Sequence, residues 1–288
     1  MCRVDKKTIL SYYCFTLLSL THHTISSVVP LRTDAVRRYK EIHTMNIPTL
    51  EEMLQAGVHF GHQVSRWHPK MKQFIFTERN GVHIIDLEKT QQQLEKVLPA
   101  VEQMTKEGKK ILFVSTKPQA KEIVKQAAID AGQPYLVDRW VGGLLTNFPE
   151  IKKIIKKYIS LKEQKESGEL ERYTKKEQLD IEREMEKMEA MIGGLLDLNG
   201  LPDAIFLPAF QREKTAFTEA NKMEVPIVAI CDTNANPVKA DYVVPANDDA
   251  VNAIRMMVQL VSDASKRGVD VGVKEAAKVP VKIEEKKS

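Results

Sequence analysis

The chain has 288 residues, of which 43% are hydrophobic and 28% are charged, and its formal net charge is +4. This composition is typical of a globular protein with one sizeable core or two modest ones, and no apolar run approaches the roughly 20 residues that span a bilayer. The small net charge also excludes a polybasic chain, so any nucleic-acid surface must come from local clusters of cations.

Residues 1–44 differ in character from the rest of the chain. Basic residues precede a mostly apolar run from Ile9 to Leu20, which is similar to a signal peptide, although no small-residue cleavage site follows. We interpret 1–44 as an N-terminal extension that is disordered or reflects an upstream start site, because it offers no periodicity that a folded core would need. Organelle targeting is the alternative, which the carboxylates Asp34 and Glu41 disfavour. Two of the three cysteines lie here, so the body has one thiol and no disulfide framework.

A short helix and an irregular segment follow. Thr49 and Glu52 have the spacing of a capping box, which predicts a helix that ends at Gly57. From Gly57 to Leu87, a stretch that we call the signature segment, the sequence mixes histidines, cations and aromatic rings, and no single period fits it. Within it we predict strands over 73–77 and 82–85, joined by a turn at ERNG.

The residue mixture of the signature segment is typical of a surface that binds irregular RNA. Cations at short intervals neutralise phosphates, and interleaved rings stack on unpaired bases. The alternative is that rings such as Trp67 and Phe74 pack in the core, as large aromatic side chains often do. That alternative suits the cations less well, because lysine and arginine are rarely buried.

Apolar strands then alternate with helices, which predicts an α/β fold. The strands cover 111–114, 204–207, 226–230 and 242–244. The helices cover 121–131, 213–222 and 248–266, together with one from Leu87 to a stop at Gly108. This rhythm favours a three-layer domain, Rossmann-like or flavodoxin-like, with a mostly parallel sheet between helices. The turn STKPQAK after Val114 lacks glycine and no GxxxxGK[ST] motif occurs, so we predict no nucleotide cofactor.

The stretch from 149 to 193 has a different pattern. Apolar residues recur at three and four positions along two helices, and a second capping box at Thr174 and Glu177 starts the second helix. We predict an inserted antiparallel α-helical hairpin, a coiled coil. Its first arm is rich in lysine, which suits either a solvated face with ion pairs or contacts with phosphates.

The predicted domain organisation follows from this insertion. Residues 45–148 form the first part of the α/β domain, 149–193 the helical hairpin, and 194–267 the second part. The charged tail over 268–288 lacks periodicity, so we expect it to be disordered.

A metal-dependent hydrolase is the alternative function that the residues leave open. His59 and His62 form a His-x-x-His pair. Four aspartates follow at loops near strand ends, namely Asp138, Asp232, Asp248 and Asp249. The pair lies on a non-helical segment, which does not place both rings predictably, and acidic residues at a helix start are favoured by its dipole. Cys231 ends an apolar strand without a nucleophile motif, so we interpret it as a buried thiol.

Three blocks of sequence carry a resemblance to a known family. They read AGVHFGHQVSRWHPKMKQFIFTERNGVHIIDLEKT, then DRWVGGLLTNF, then GLPDAIF followed by VPIVAICDTNANPVKADYVVPANDDAVNAI. In this order they resemble the second protein of the bacterial-type small ribosomal subunit, the S-two family, over about residues 49–267. Two turns depart from the family pattern, Ser115–Pro118 and the PAFQREK stretch after Leu207.

The resemblance implies a structural ribosomal protein and no enzyme. It implies docking on small-subunit rRNA in the cytoplasm, on the solvent side near the junction of head and body, and help in recruiting the large S-one protein. Neighbouring small-subunit proteins are the other expected partners, with no membrane, small-molecule substrate, cofactor or metal. The expected RNA contacts are Arg66, Trp67, His68, Lys70, Lys72, Arg79, Asn80, Arg139, Trp140, Thr146 and Asn147, with Lys152, Lys153, Lys156 and Lys157 on phosphates.

Overall fold

The computed structural model describes residues 47–198 and 200–276, so the predictions for 1–44 and for the end of the tail lie outside the described residues. The described helices are α1 (Leu50–Gln55), α2 (Leu87–Lys106), α3 (Lys121–Asp130), α4 (Phe148–Glu166), α5 (Lys175–Ile192), α6 (Lys214–Lys222) and α7 (Val251–Ala276). The described strands are β1 (Phe60–Gln63), β2 (Ile75–Arg79), β3 (Val82–Ile85), β4 (Ile111–Val114), β5 (Tyr135–Leu136), β6 (Ala204–Leu207), β7 (Ile227–Cys231) and β8 (Tyr242–Pro245). None of these helices is long and apolar enough to cross a membrane.

Five parallel strands form the central sheet, in the order β5-β4-β6-β7-β8. Counted along the chain within that sheet, this is the order 2-1-3-4-5 of flavodoxin-like folds. The strands β4, β6 and β7 are buried along their whole length because helices cover both faces. The predicted α/β fold with a mostly parallel sheet is therefore confirmed. The edge strand β5, only two residues long, was not predicted.

The two faces of this sheet belong to two hydrophobic cores, because successive side chains of a strand point to opposite sides. In β7, Val228 packs in the first core, with residues of α2, α3 and α7. Its neighbour Ile227 packs in the second core, with residues of α4, α5 and α6. Met71 and Phe74 of the signature segment also belong to the second core, which fixes that segment to this face.

A small antiparallel sheet in the order β1-β3-β2 carries much of the signature segment. Asn80 and Gly81 join β2 to β3, and their φ angles of 53° and 75° are those of the two-residue turn that favours Asn-Gly. The predicted strand over 73–77 lies at 75–79 instead, because Pro69–Phe74 forms a 3-10 helix. The strand β1 was not predicted, since its sequence does not alternate.

The helices α4 and α5 form a helical hairpin between β5 and β6. Ion pairs join Lys157 to Glu184 at 2.6 Å and Lys165 to Glu182 at 2.9 Å, so the two helices run antiparallel. Both bonds of the predicted capping box are present at the start of α5. Buried residues lie in the first part of α4 and the last part of α5, next to the sheet domain. Coiled-coil packing of the arms stays a prediction.

The last helix corrects the expectation for the tail. α7 continues to Ala276, beyond the predicted end at 266, so the tail is not disordered from 268. Gly268 and Gly272 lie one turn apart and face the end of α2, where a Cβ at Gly272 would lie 2.6 Å from the carbonyl oxygen of Lys106. Glycines that weaken the helical pattern in the sequence therefore permit a close approach of two helices, and packing outweighs their low helix propensity.

Candidate nucleic-acid interface

Three cations of the signature segment lie on two short 3-10 helices, Val64–Arg66 and Pro69–Phe74. The second of these helices is anchored by Met71 and Phe74, which are buried in the second core. Because the apolar residues fill the inner side, the charged residues of the same turns remain in solvent. The exposed cations are Arg66, Lys70 and Lys72.

Trp67 and His68 are half-buried beside these cations. The Trp67 ring lies 5.3 Å from the ring of His83, with 54° between their planes. The Nδ1 atom of His68 accepts the backbone N–H of Lys70 at 3.2 Å, which caps the start of the second 3-10 helix. Each ring is therefore held by the protein while part of it stays accessible to a ligand.

The β2–β3 hairpin presents two further predicted contacts. Arg79 ends β2 and Asn80 begins the turn, and both are exposed. The Phe76 side chain on the same strand is 74% exposed. The strand β2 is held in place by its pairing with β3, so its exposed side chains are oriented but accessible.

The block from Asp138 to Phe148 folds around the carboxylate of Glu219, which lies on α6. Its Oε1 atom accepts the indole N–H of Trp140 at 3.0 Å and the backbone N–H of Gly143 at 2.9 Å. Its Oε2 atom accepts the backbone N–H of Leu145 at 3.2 Å, and the backbone N–H and hydroxyl of Thr146 at 3.4 and 3.3 Å. Burial alone raises the pKa of Glu219, but these hydrogen bonds outweigh burial and lower the pKa below its ordinary value.

The expected RNA contact by Trp140 is corrected by this arrangement. Its ring is only 8% exposed, and its one polar atom is used by Glu219, so the ring is not available to stack on a base. Arg139, Thr146 and Asn147 are exposed, as a binding role requires. Their contacts with RNA stay a prediction.

The four predicted phosphate ligands of α4 are exposed along one arm of the hairpin. Carboxylates lie close to this face: Lys153 pairs with Glu150 at 2.7 Å, and Lys157 pairs with Glu184 at 2.6 Å. Ion pairs between the arms, the alternative reading of this charge run, are thus present, and an RNA phosphate must compete with the carboxylates.

The candidate catalytic residues form a cluster at the carboxyl ends of β4, β7 and β8. Nδ1 of His62 lies 3.0 Å from Oδ2 of Asp232, and its Nε2 lies 3.4 Å from Oδ2 of Asp249. Nζ of Lys117 lies 3.0 Å from Oδ1 of Asp248 and 2.7 Å from Oδ1 of Asp249. The carboxylates of Asp232 and Asp248 are buried, while that of Asp249 is 63% exposed.

The pKa values of the cluster follow from these contacts. The hydrogen bond to Asp232 raises the pKa of His62, against the opposing effect of burial. Burial and the neighbouring Asp232 raise the pKa of Asp248, although Lys117 opposes them. Burial also acts to raise the pKa of Asp249, but Lys117 and His62 lower it overall. The cluster is therefore a balanced ionic network that joins β1 to the ends of the parallel strands.

This geometry gives little support to a hydrolase. Ligand atoms of His62, Asp232 and Asp248 lie within 4.8 Å of one another, so these three could hold a metal ion. Asp249 joins them through His62, but Asp138 pairs with Lys121 at 2.9 Å instead. Among the described residues His59 does not belong to the group of possible ligands, and burial lowers its pKa. The Lys117 ammonium already supplies a cation to two of the carboxylates.

The crevice at which flavodoxin-like folds bind ligands is filled by the protein itself. It lies at the carboxyl ends of β4 and β6, where the strand order reverses. There Oε1 of the buried Glu213 accepts the backbone N–H of Thr116 at 2.6 Å and its hydroxyl at 2.8 Å. Both residues come from the two turns that depart from the family pattern. A carboxylate in this position occupies the place of a phosphate group and repels its negative charge.

Three residues that organise this surface were not predicted. Glu219 and Lys117 have charges that the sequence shows, but their partners are far away along the chain, so only the fold reveals their roles. Thr233 accepts backbone N–H groups of the signature segment and carries no pattern of its own. The predicted buried thiol of Cys231 is confirmed, and burial raises its pKa.

Exposed cations beside partly accessible rings are typical of the class of nucleic-acid-binding proteins. Comparison with known proteins agrees. The family model described as Ribosomal protein S2 matches residues 53–268. A relative from Coprothermobacter proteolyticus, named small ribosomal subunit protein uS2, is 48% identical over 224 residues, which cover 78% of this chain and 84% of the relative.

The chain therefore belongs to the ribosomal protein S2 family, the S-two family to which the sequence blocks pointed. It is a structural protein of the small ribosomal subunit and not an enzyme. The cluster around His62 joins β1 to the carboxyl ends of β4, β7 and β8, and the exposed cations are the candidate functional residues of this chain.

Proposed function

We propose that this protein binds small-subunit rRNA in the cytoplasmic ribosome through its signature segment and the adjacent turns. The observation that carries the proposal is the row of exposed cations Arg66, Lys70 and Lys72. Lys70 and Lys72 lie on the 3-10 helix that Met71 and Phe74 anchor in the core. Fixed cations lose little entropy when they bind phosphates, and the accessible part of Trp67 offers a stacking surface.

The test compares RNA affinity with that of a charge-matched control. In the full chain, Lys70→Gln combined with Lys72→Gln should weaken binding to small-subunit rRNA and lower the slope of log K against log salt by up to about 1.4 to 1.8 for two phosphate contacts. The control replaces Lys266 and Lys274, which lie exposed on α7, in the same way. Equal effects of the two double variants would refute a specific surface.

The proposal includes contacts with neighbouring small-subunit proteins and help in recruiting the large S-one protein. An exposed apolar groove lined by Leu50, Leu54 and Phe76 supports a protein contact, because exposed apolar patches often mark such sites. Small subunits that carry Phe76→Ser should retain this protein but contain less S-one protein, measured by quantitative mass spectrometry. Unchanged S-one occupancy would remove this groove from the proposal.

A further inference from the structure

The turn after β7 holds the signature segment at two points. The hydroxyl oxygen of Thr233 accepts the backbone N–H of His62 at 2.8 Å, and its carbonyl oxygen accepts the backbone N–H of His68 at 2.8 Å. These two bonds bracket Arg66 and Trp67, the first cation and the first ring of the candidate interface. One residue thus fixes both ends of the stretch that presents them.

Thr233 is itself held in one orientation. It is fully buried, and both its backbone N–H and its hydroxyl donate to Oδ1 of Asp232. The backbone of Gly61 packs against it so closely that a Cβ there would lie 2.6 Å from Cγ2 of Thr233. The hydroxyl donates to Asp232 and accepts from His62 at the same time, which uses its one donor and one of its two acceptor lone pairs.

The same turn ends in a 3-10 helix, Pro237–Lys239, in which Pro237 is buried while Val238 and Lys239 are exposed. The side-chain oxygen of Asn236 caps this helix by accepting the backbone N–H of Val238 at 3.3 Å. The helix packs against Pro69–Phe74, the 3-10 helix that carries Lys70 and Lys72. Two capped turns with exposed lysines therefore lie side by side.

The ammonium group of Lys239 is positioned without being neutralised. It lies 5.1 Å from the centre of the Phe217 ring, which attracts a cation and limits its motion. Lys239 forms no ion pair with any described residue, whereas Lys153 and Lys157 on α4 are paired with carboxylates. Its full charge remains available to an anionic ligand.

We propose that the turn from Asp232 to Lys239 is a second wall of the RNA-binding surface. Thr233 is a positioning residue that fixes the direction of Arg66 and Trp67, and Lys239 contacts an RNA phosphate next to those bound by Lys70 and Lys72. The inference rests on the proposed function, because it adds further parts to the same site. RNA fits better than an acidic protein, since the surface combines separated cations with an accessible ring.

The contribution of Lys239 is tested by Lys239→Gln in the full chain, with Lys266→Gln on the opposite face of the sheet as the matched control. Lys239→Gln should lower the salt slope of rRNA binding by up to about 0.9 and the affinity by up to about eightfold at 0.1 M KCl. The control should change neither quantity. If wild-type protein binds rRNA and Lys239→Gln binds equally well, this inference is refuted and the proposed function stands. If wild-type protein shows no affinity, both fail.

The role of Thr233 is tested by Thr233→Val and Thr233→Ser. Valine keeps the shape but removes the hydroxyl, so the variant should lose roughly tenfold in rRNA affinity, about the effect of one hydrogen bond. Its amides at His62 and His68 should exchange faster with solvent, while amides of β4 and β6 keep their protection. Serine restores the hydroxyl and should restore affinity. A valine variant with wild-type affinity would overturn the positioning role. So would a variant that loses affinity together with amide protection throughout the protein, because the fold as a whole would then be weakened.

Discussion

Glu219 illustrates how one carboxylate organises a sequence block that looks like a ligand-binding loop. Its two oxygens accept from the Trp140 indole, from the backbone of Gly143, Leu145 and Thr146, and from the Thr146 hydroxyl. A loop with several inward N–H groups is an anion site, and here the anion is supplied by the protein. The block therefore stabilises the base of the hairpin, and its exposed residues remain accessible to a ligand.

We expect the stability of the protein to depend on Glu219 in a defined pH range. The hydrogen bonds lower the folded-state pKa below the ordinary value of 4.5, so the carboxylate adds stability above about pH 4.5 and loses it as the pH falls through the folded value. Near pH 7, Glu219→Gln should lower the free energy of unfolding by about 1 to 3 kcal/mol. This loss of stability relative to wild type should become smaller as the pH is lowered. Urea unfolding at a series of pH values measures this. A difference that is constant with pH would contradict it.

Trp67 separates two roles of an aromatic ring. It is half-buried against His83, so truncation removes both packing and a surface for stacking. We expect Trp67→Ala to reduce rRNA affinity by roughly 1 to 3 kcal/mol while the salt slope stays at the wild-type value, because stacking involves no counterions. Melting curves serve as the control. A stability loss of about 3 to 5 kcal/mol with unchanged affinity would make the ring a core residue instead.

At the scale of the element, α4 carries cations that carboxylates partly neutralise. Lys152, Lys153, Lys156 and Lys157 are replaced together with Gln. This change should reduce the slope of log K against log salt by less than about 0.7 to 0.9 per phosphate contact, the value for a cation that is not ion-paired, because the ion pairs must break before RNA binds. Filter binding over a range of KCl concentrations measures this slope.

The control for α4 removes a negative charge instead of positive charges. Glu184→Gln releases Lys157 from its 2.6 Å ion pair without altering the lysine. It should strengthen rRNA binding if Lys157 contacts a phosphate. If the lysine quartet and Glu184→Gln both leave affinity unchanged, the hairpin face is a solvated surface that RNA does not touch.

For the whole molecule, the self-filled crevice predicts no nucleotide binding. Calorimetry with ATP or NAD at micromolar concentration should give no saturable heat, because Glu213 occupies the crevice between β4 and β6. Glu213→Gln tests whether the negative charge of Glu213 prevents nucleotide binding, since this change removes the charge while keeping most of the side-chain volume. A stoichiometric isotherm with the wild-type protein would show that the crevice opens.

Much of the fold could be predicted because its buried strands and capped helices are local patterns. The strand ILFV at β4, the Asn-Gly turn and both capping boxes are encoded by neighbouring residues. The candidate site was harder, since its geometry depends on contacts between distant segments. Thr233 meets His62, and Glu219 meets Trp140, only after the sheet has formed. The extension of α7 was missed because glycines that disfavour helix locally are required by the contact with α2.

The order of the strands determines when each strand can pair with its neighbours as the chain is synthesised. β4 lies inside the sheet, between β5 and β6, yet Ile111 pairs with Ala204 of β6, and the whole helical hairpin lies between them in sequence. Until β6 has left the ribosomal tunnel, β4 has only the two-residue strand β5 beside it, and its apolar edge is open. The nascent chain therefore passes through a long interval in which the β6-facing edge of β4 is unpaired, and such an open strand edge is prone to association with other chains. Closure of the first core waits longer still, for α7 at the end of the described chain to reach α2.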